Sequence, residues 1–285
     1  MYTTLISAEQ LKALRSGSKP LMVFDCSFEL MKPEEGEQQY LRSHIAGARR
    51  ADLDRHLSEK DPAAAVNGGR HPLPSRETFA AWLAGIGFTA DMQAVVYDRQ
   101  GANYCGRLWW MLKWVGHEAV AVLDGGLQAW EAAGGALSSG AEKPHSASSF
   151  KASTGRATLA TAADVLKQLD QRTQTLLDAR APARFRGEVE PLDPVAGHVP
   201  GALNRPFGQN LGTDGKFKTA AQLRAEFVQL LAGRDPATVV HQCGSGVSAV
   251  PNLLAMEIAG LGRTALYAGS WSEWCSDPAR PVARG

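Results

Sequence analysis

The feature that most constrains this chain is that it repeats itself. From Ser75 and Thr219 onward, Val95 matches Val239, Gly116 matches Gly260, Gly125 matches Gly269 and Trp130 matches Trp274, all 144 positions apart and without a gap. Upstream, Ser7 matches Thr161, Phe24-Asp25 matches Leu177-Asp178, and His44-Ile45-Ala46-Gly47-Ala48 matches His198-Val199-Pro200-Gly201-Ala202. Half of the 285 residues is an ordinary domain, so two tandem copies of one fold are expected. We place the first domain at 1–138 and the second at 159–285, with 139–158 as a Gly-, Ser- and Ala-rich linker containing Pro144.

Each copy alternates strand and helix signals. Ser7-Ala8-Glu9-Gln10 has the form of a capping box, and Leu21-Met22-Val23-Phe24 is a short buried run ending at Asp25. Ser75 caps a helix bearing Phe79, Trp82 and Leu83; Ala94 to Tyr97 and Val120 to Leu123 read as strands on either side of the apolar helix Leu108 to Val115. This order predicts an α/β fold in which a mainly parallel central sheet is flanked by helices.

Charge and cysteine usage exclude several classes of function. Thirty Lys and Arg against 29 Asp and Glu give a net charge of +1, with no basic stripe for nucleic acid or anionic lipid. No apolar run approaches the ~18 residues of a membrane span, and the N-terminus lacks a basic region followed by an apolar one, so a cytoplasmic protein is expected. Cys26, Cys105, Cys243 and Cys275 lack the spacing of a zinc site or a disulfide framework, which fits a reducing compartment.

The chemistry concentrates in Val239-Val240-His241-Gln242-Cys243-Gly244-Ser245-Gly246-Val247-Ser248-Ala249, which reads as strand, tight loop and the start of a helix near Ser248. Gly244 and Gly246 let the backbone fold around the sulfur of Cys243, so that loop N–H groups and the helix N-terminus favour an anion there, and Pro251 suits a first helical turn. Such surroundings activate a thiol. Cysteine phosphatases share this layout but need an arginine six residues after the nucleophile, where this chain has Ala249. At constant spacing Cys243 falls opposite Arg99, so only the second copy has a nucleophile. The first copy has about ten extra residues between Ala48 and Ser75, including Asp54 and His71, and an added polar loop of this kind is a common carrier of function.

Taken in order, the loop Cys243 to Ser248, the His-x-x-Gly-Ala elements at His44 and His198, Asp178-Ala179-Arg180 with Arg184-Phe185-Arg186-Gly187, Leu108-Trp109-Trp110, Gly125-Gly126 to Trp130, and Gly269-Ser270-Trp271-Ser272-Glu273-Trp274 resemble the tandem-domain rhodaneses from end to end. Within them the chain is most similar to the 3-mercaptopyruvate sulfurtransferases. The resemblance implies two rhodanese-like domains with the active site at their interface, and sulfur transfer through a persulfide on Cys243 with no metal or organic cofactor. A small-molecule sulfur donor and a cyanide or thiol acceptor, for example thioredoxin, are the implied partners. Gly244, Gly246, Val247 and Ser248 would surround the sulfur, and the neutral Gly244-Ser245 pair favours mercaptopyruvate over thiosulfate, whose enzymes carry basic residues here. By the same resemblance Ser245, His71 and Asp54 form a proton-handling triad and Arg184 binds the donor carboxylate. A second arginine common nine residues later is replaced by Asp193, leaving Arg180 or Arg186 to compensate; Phe28 stands where relatives have an active-site tryptophan, with Tyr104 as a further wall residue. A thiosulfate:cyanide sulfurtransferase and a non-catalytic persulfide relay module remain open alternatives.

Overall fold

The structure is a computed structural model that describes residues 1–169, 171 and 173–285. The chain divides into two compact units that interleave in sequence: Met1–Glu59, Pro74–Arg156 and Thr213–Lys216 form the first, and Lys60–Leu73, Ala157–Gly212 and Phe217–Gly285 the second. The repeat places a boundary at a linker, whereas the contacts move the segment 60–73 into the second unit.

In the first unit the elements are β1 (Leu5–Ile6), α1 (Ala8–Arg15), β2 (Leu21–Asp25), α2 (Pro33–Arg42), β3 (His44–Ile45), β4 (Arg49–Arg50), α3 (Arg76–Gly85), β5 (Gln93–Tyr97), α4 (Cys105–Trp114), β6 (Val120–Leu123), α5 (Gly126–Ala132) and β7 (Leu137–Ser138). Ser7 and Gln10 form the reciprocal capping box at α1, and the Ser75 side chain accepts from Thr78 N at α3, so both starts follow from their caps. The sheet is parallel throughout, in the order β1-β6-β5-β2-β4, while β3 and β7 make a small antiparallel pair.

The second unit contains β8 (Thr158–Ala160), α6 (Ala162–Lys167), β9 (Thr175–Asp178), α7 (Pro182–Phe185), β10 (Leu203–Asn204), α8 (Ala220–Leu231), β11 (Val239–Gln242), α9 (Val250–Ile258), β12 (Ala265–Tyr267) and α10 (Ser270–Trp274). Its parallel sheet runs β8-β12-β11-β9-β10, strand for strand the order of the first unit. The likeness extends to detail. His44 stacks on Tyr40 and its Nδ1 meets the Tyr40 carbonyl; His198 does the same with Phe185, with ring centroids 3.8 Å apart. The His-x-x-Gly-Ala elements are therefore packing devices.

Successive residues of β11 bury opposite faces. Val240 packs with Leu176, Tyr267, Trp271 and Trp274, while Val239 packs with Leu177, Leu223, Phe227 and Met256. A central strand buried on both faces holds its C-terminal end rigidly, and the crevice beyond the carboxyl ends of parallel strands is where such sheets place their chemistry. Cys243 is the first residue past that end.

Candidate active site

The loop after β11 runs from Cys243 to Ala249, and α9 begins at Val250 with Pro251 in its first turn, two residues later than the sequence pattern indicates. Cys243 is 2% exposed, Gly244, Ser245, Gly246 and Val247 are buried, and Ser248 is half-buried. Gly246 takes φ 71°, and a Cβ there would run into the Ala268 carbonyl, so this position requires glycine. Three bonds from α10 fix the start of the loop. Ser270 Oγ accepts the Cys243 N–H at 3.0 Å, and the Cys243 and Gly244 carbonyls accept the N–H groups of Trp271 and Ser272.

The first unit reveals what this loop shape holds. Asp25 pairs with Tyr97 in its sheet, and Asp178 pairs with Gln242 in the other, so Tyr97 is the counterpart of Gln242. The Leu127 N–H bonds to the Asp98 carbonyl as the Trp271 N–H bonds to that of Cys243. The residue opposite Cys243 is thus Asp98, not Arg99: the constant spacing of 144 slips by one along β5 and its loop, then returns by Gly116 and Gly260. Arg99 instead pairs with the buried Asp25 at 3.1 Å and donates to Ser27. The Asp98 carboxylate accepts the N–H groups of Gln100, Ala102, Tyr104 and Cys105 at 2.8–3.0 Å. A negative group is therefore solvated by four backbone amides of the loop and the helix start. In the second unit the counterparts of the first three, the N–H groups of Ser245, Val247 and Ala249, donate to no protein acceptor among the described residues; the fourth, that of Val250, bonds to the Val247 carbonyl.

The segment 60–73 brings two further groups to this loop. His71 is 4% exposed, and its Nδ1 lies 2.8 Å from Ser245 Oγ, which joins two of the expected triad residues. Asp54 lies in the other unit, half-buried, with its N–H on Asp52 Oδ1. The segment is pinned by the Gly68 N–H on Glu273 Oε1 and the Arg70 N–H on Ser272 Oγ, both at 3.0 Å, so α10 positions the nucleophile loop and the histidine together.

Arg70, which the sequence reading passes over, is a member of this site. Its Nη2 lies 3.1 Å from where a Cβ on Gly244 would stand, and the nearest Arg184 nitrogen lies at 3.6 Å. Asp193 bridges the two guanidiniums, to Arg70 Nη1 at 2.7 Å and to Arg184 Nη2 at 3.2 Å, while Glu190 takes the other edge of Arg184. The Arg70 Nε is buried and has no hydrogen-bond partner among the described residues. Arg180 is committed to Asp178, to the Gly197 carbonyl and to Glu190, and Arg186 is paired on the surface with Glu188. Phe28 and Tyr104 meet edge to face in the first unit with centroids 5.3 Å apart, and burial pushes the Tyr104 hydroxyl up to about 12.

A rhodanese-like domain matches residues 7–133 and again 161–277. The chain belongs to the rhodanese family. This rhodanese is 47% identical over 282 residues to the probable 3-mercaptopyruvate sulfurtransferase of Pseudomonas aeruginosa, a match covering 99% of this chain and 98% of the relative. It is 33% identical over 282 residues to the thiosulfate sulfurtransferase of Bos taurus, covering 96% and 92%. Among solved structures it resembles SseA of Escherichia coli, described as a 3-mercaptopyruvate sulfotransferase, with a TM-score of 0.80 and 32% identity over 95% of this chain and all of that one. Both copies of the repeat are rhodanese-like, and the protein is a sulfurtransferase.

Proposed function

We propose that this rhodanese is a 3-mercaptopyruvate sulfurtransferase working through a persulfide on Cys243. The Cys243 thiolate attacks the donor sulfur; the new S–S bond takes its electron pair from the thiolate, and the breaking C–S bond leaves its pair on carbon as the pyruvate enolate. The proton of the transferred S–H passes to that carbon, so pyruvate leaves and no oxidant is required. The persulfide is held by the amides of Ser245, Val247 and Ala249, in the arrangement that solvates Asp98 in the other unit. A second thiol or cyanide then removes the outer sulfur, and a dithiol protein such as thioredoxin in a reducing cytoplasm suits that step.

The observation that favours mercaptopyruvate is the His71–Ser245 hydrogen bond beside a neutral loop. A thiol donor brings a proton that must be moved and a thiosulfate donor does not, so a histidine-serine relay serves only the former. Asp54 is retained, on the family resemblance, as a candidate acid in that proton transfer. The guanidiniums of Arg70 and Arg184 suit the donor carboxylate, with Arg70 Nε as an added donor. The same pair of cations is what would favour a dianionic thiosulfate, the second reading.

Parallel steady-state assays with the two donors, cyanide being the acceptor, test the proposal. We expect mercaptopyruvate to be preferred, and His71→Ala to lower its turnover about a hundredfold while changing thiosulfate turnover little. Equal losses with both donors would remove the relay, and a thiosulfate preference would replace the reading.

A further inference from the structure

Ser270 adopts φ 53°, in the left-handed region that disfavours every residue with a side chain. Its counterpart in the first unit is Gly126, at φ 59°, and glycine takes this conformation without strain. A side chain has thus been kept at a position where the fold itself is satisfied by none. It is completely buried, and its hydroxyl makes two bonds: it donates to the Tyr267 carbonyl at 2.9 Å and accepts the Cys243 N–H at 3.0 Å. The first bond points the hydroxyl hydrogen away, which leaves a lone pair directed at the nucleophile's own amide.

We infer that Ser270 is a positioning residue for Cys243, retained against backbone strain in order to fix the nucleophile; this rests on the proposed persulfide chemistry. The orientation of the Cys243 peptide plane sets where the sulfur lies relative to the Ser245, Val247 and Ala249 amides. Binding the Cys243 N–H sideways to a hydroxyl anchors that plane. The first unit needs no such anchor, because the Asp98 carboxylate is already locked by four amides and Gly126 offers no hydroxyl.

The effects of strain and of the anchor should therefore separate between two variants at this position. Ser270→Gly relieves the strain and removes the anchor; Ser270→Ala removes the anchor and keeps the strain. We expect the glycine variant to melt above the alanine variant, since it alone relieves the strain, yet to form persulfide about tenfold more slowly than wild type, the rate equivalent of the lost bond to Cys243. The alanine variant should lose rate to a similar extent and melt lower. As a donor-independent readout, the pH profile of Cys243 alkylation by iodoacetamide, followed on its peptide by mass spectrometry, should shift upward in both variants. A glycine variant with wild-type rate and alkylation profile would overturn the inference, as would one whose rate falls only in proportion to lost stability. Wild-type protein that transfers no sulfur from either donor would refute the proposed function instead, and the alkylation profiles would still decide the role of Ser270.

Discussion

At the scale of single residues, the site depends on groups that are buried and paired with purpose. Arg70 and Arg184, both part-exposed, pair with Asp193 and Glu190, whose side chains are each 3% exposed. Replacing Arg70 with Gln removes one charge-assisted contact for a carboxylate, and the expected result is a KM for mercaptopyruvate raised about tenfold to a hundredfold with a smaller change in kcat. Unchanged KM would take Arg70 out of the donor site. His241, two residues before the nucleophile, is fully buried with neither ring nitrogen bonded among the described residues, and desolvation lowers its pKa from 6.5 to about 3. Its folded-state value lies below the unfolded one, so the unfolded chain takes up the proton first. Stability is complete above pH 6.5 and falls as the pH drops toward 3, by about 1.4 kcal/mol per unit for this group. His241→Leu should flatten that part of the profile, and urea unfolding at pH 7 and pH 5 checks it: the variant should lose less stability between the two than the wild type.

At the scale of elements, α10 is the part that joins the site. Five residues long, it holds Cys243 through Ser270 and Trp271, Gly244 through Ser272, and the segment 60–73 through Ser272 and Glu273. Gly69, at φ 93°, lies so close that a Cβ on it would stand 2.7 Å from the Gly269 carbonyl and from Ser272 Oγ. Glu273→Ala frees the Gly68 N–H and should loosen the segment that holds Arg70 and His71. The expected outcome is a mercaptopyruvate kcat/KM lowered about tenfold, with Cys243 alkylation at the wild-type rate because the nucleophile loop keeps its own bonds. Slowed alkylation would mean that the two halves of the α10 contact are not separable.

At the scale of the whole molecule, the repeat made the fold legible. Caps at Ser7 and Ser75, β-branched runs and the spacing of Gly116 and Gly260 define the αβ alternation, and the two sheets have the same strand order. The one-residue slip was not legible, because Val95 can be matched to Val239 or Val240 with equal ease and only the sheet register chooses. Cys243, Ser245, His71 and Arg184 could be picked out by residue type and resemblance. Arg70 and Ser270 could not, since a lone arginine in a polar loop and a serine after a glycine carry no signal until φ angles and neighbours are known. The adjacency of Arg70 to His71 was the clue available.

The central claim is that sulfur passes through Cys243, and the most direct measurement is mass spectrometry of the intact protein after brief exposure to 3-mercaptopyruvate, with pyruvate measured in parallel. We predict a gain of one sulfur atom, located on the Cys243 peptide, released by cyanide, and matched by one equivalent of pyruvate. Cys243→Ser should fold and gain none. Pyruvate formation by the Cys243→Ser protein, or wild-type turnover with no sulfur gained on Cys243, would contradict the account.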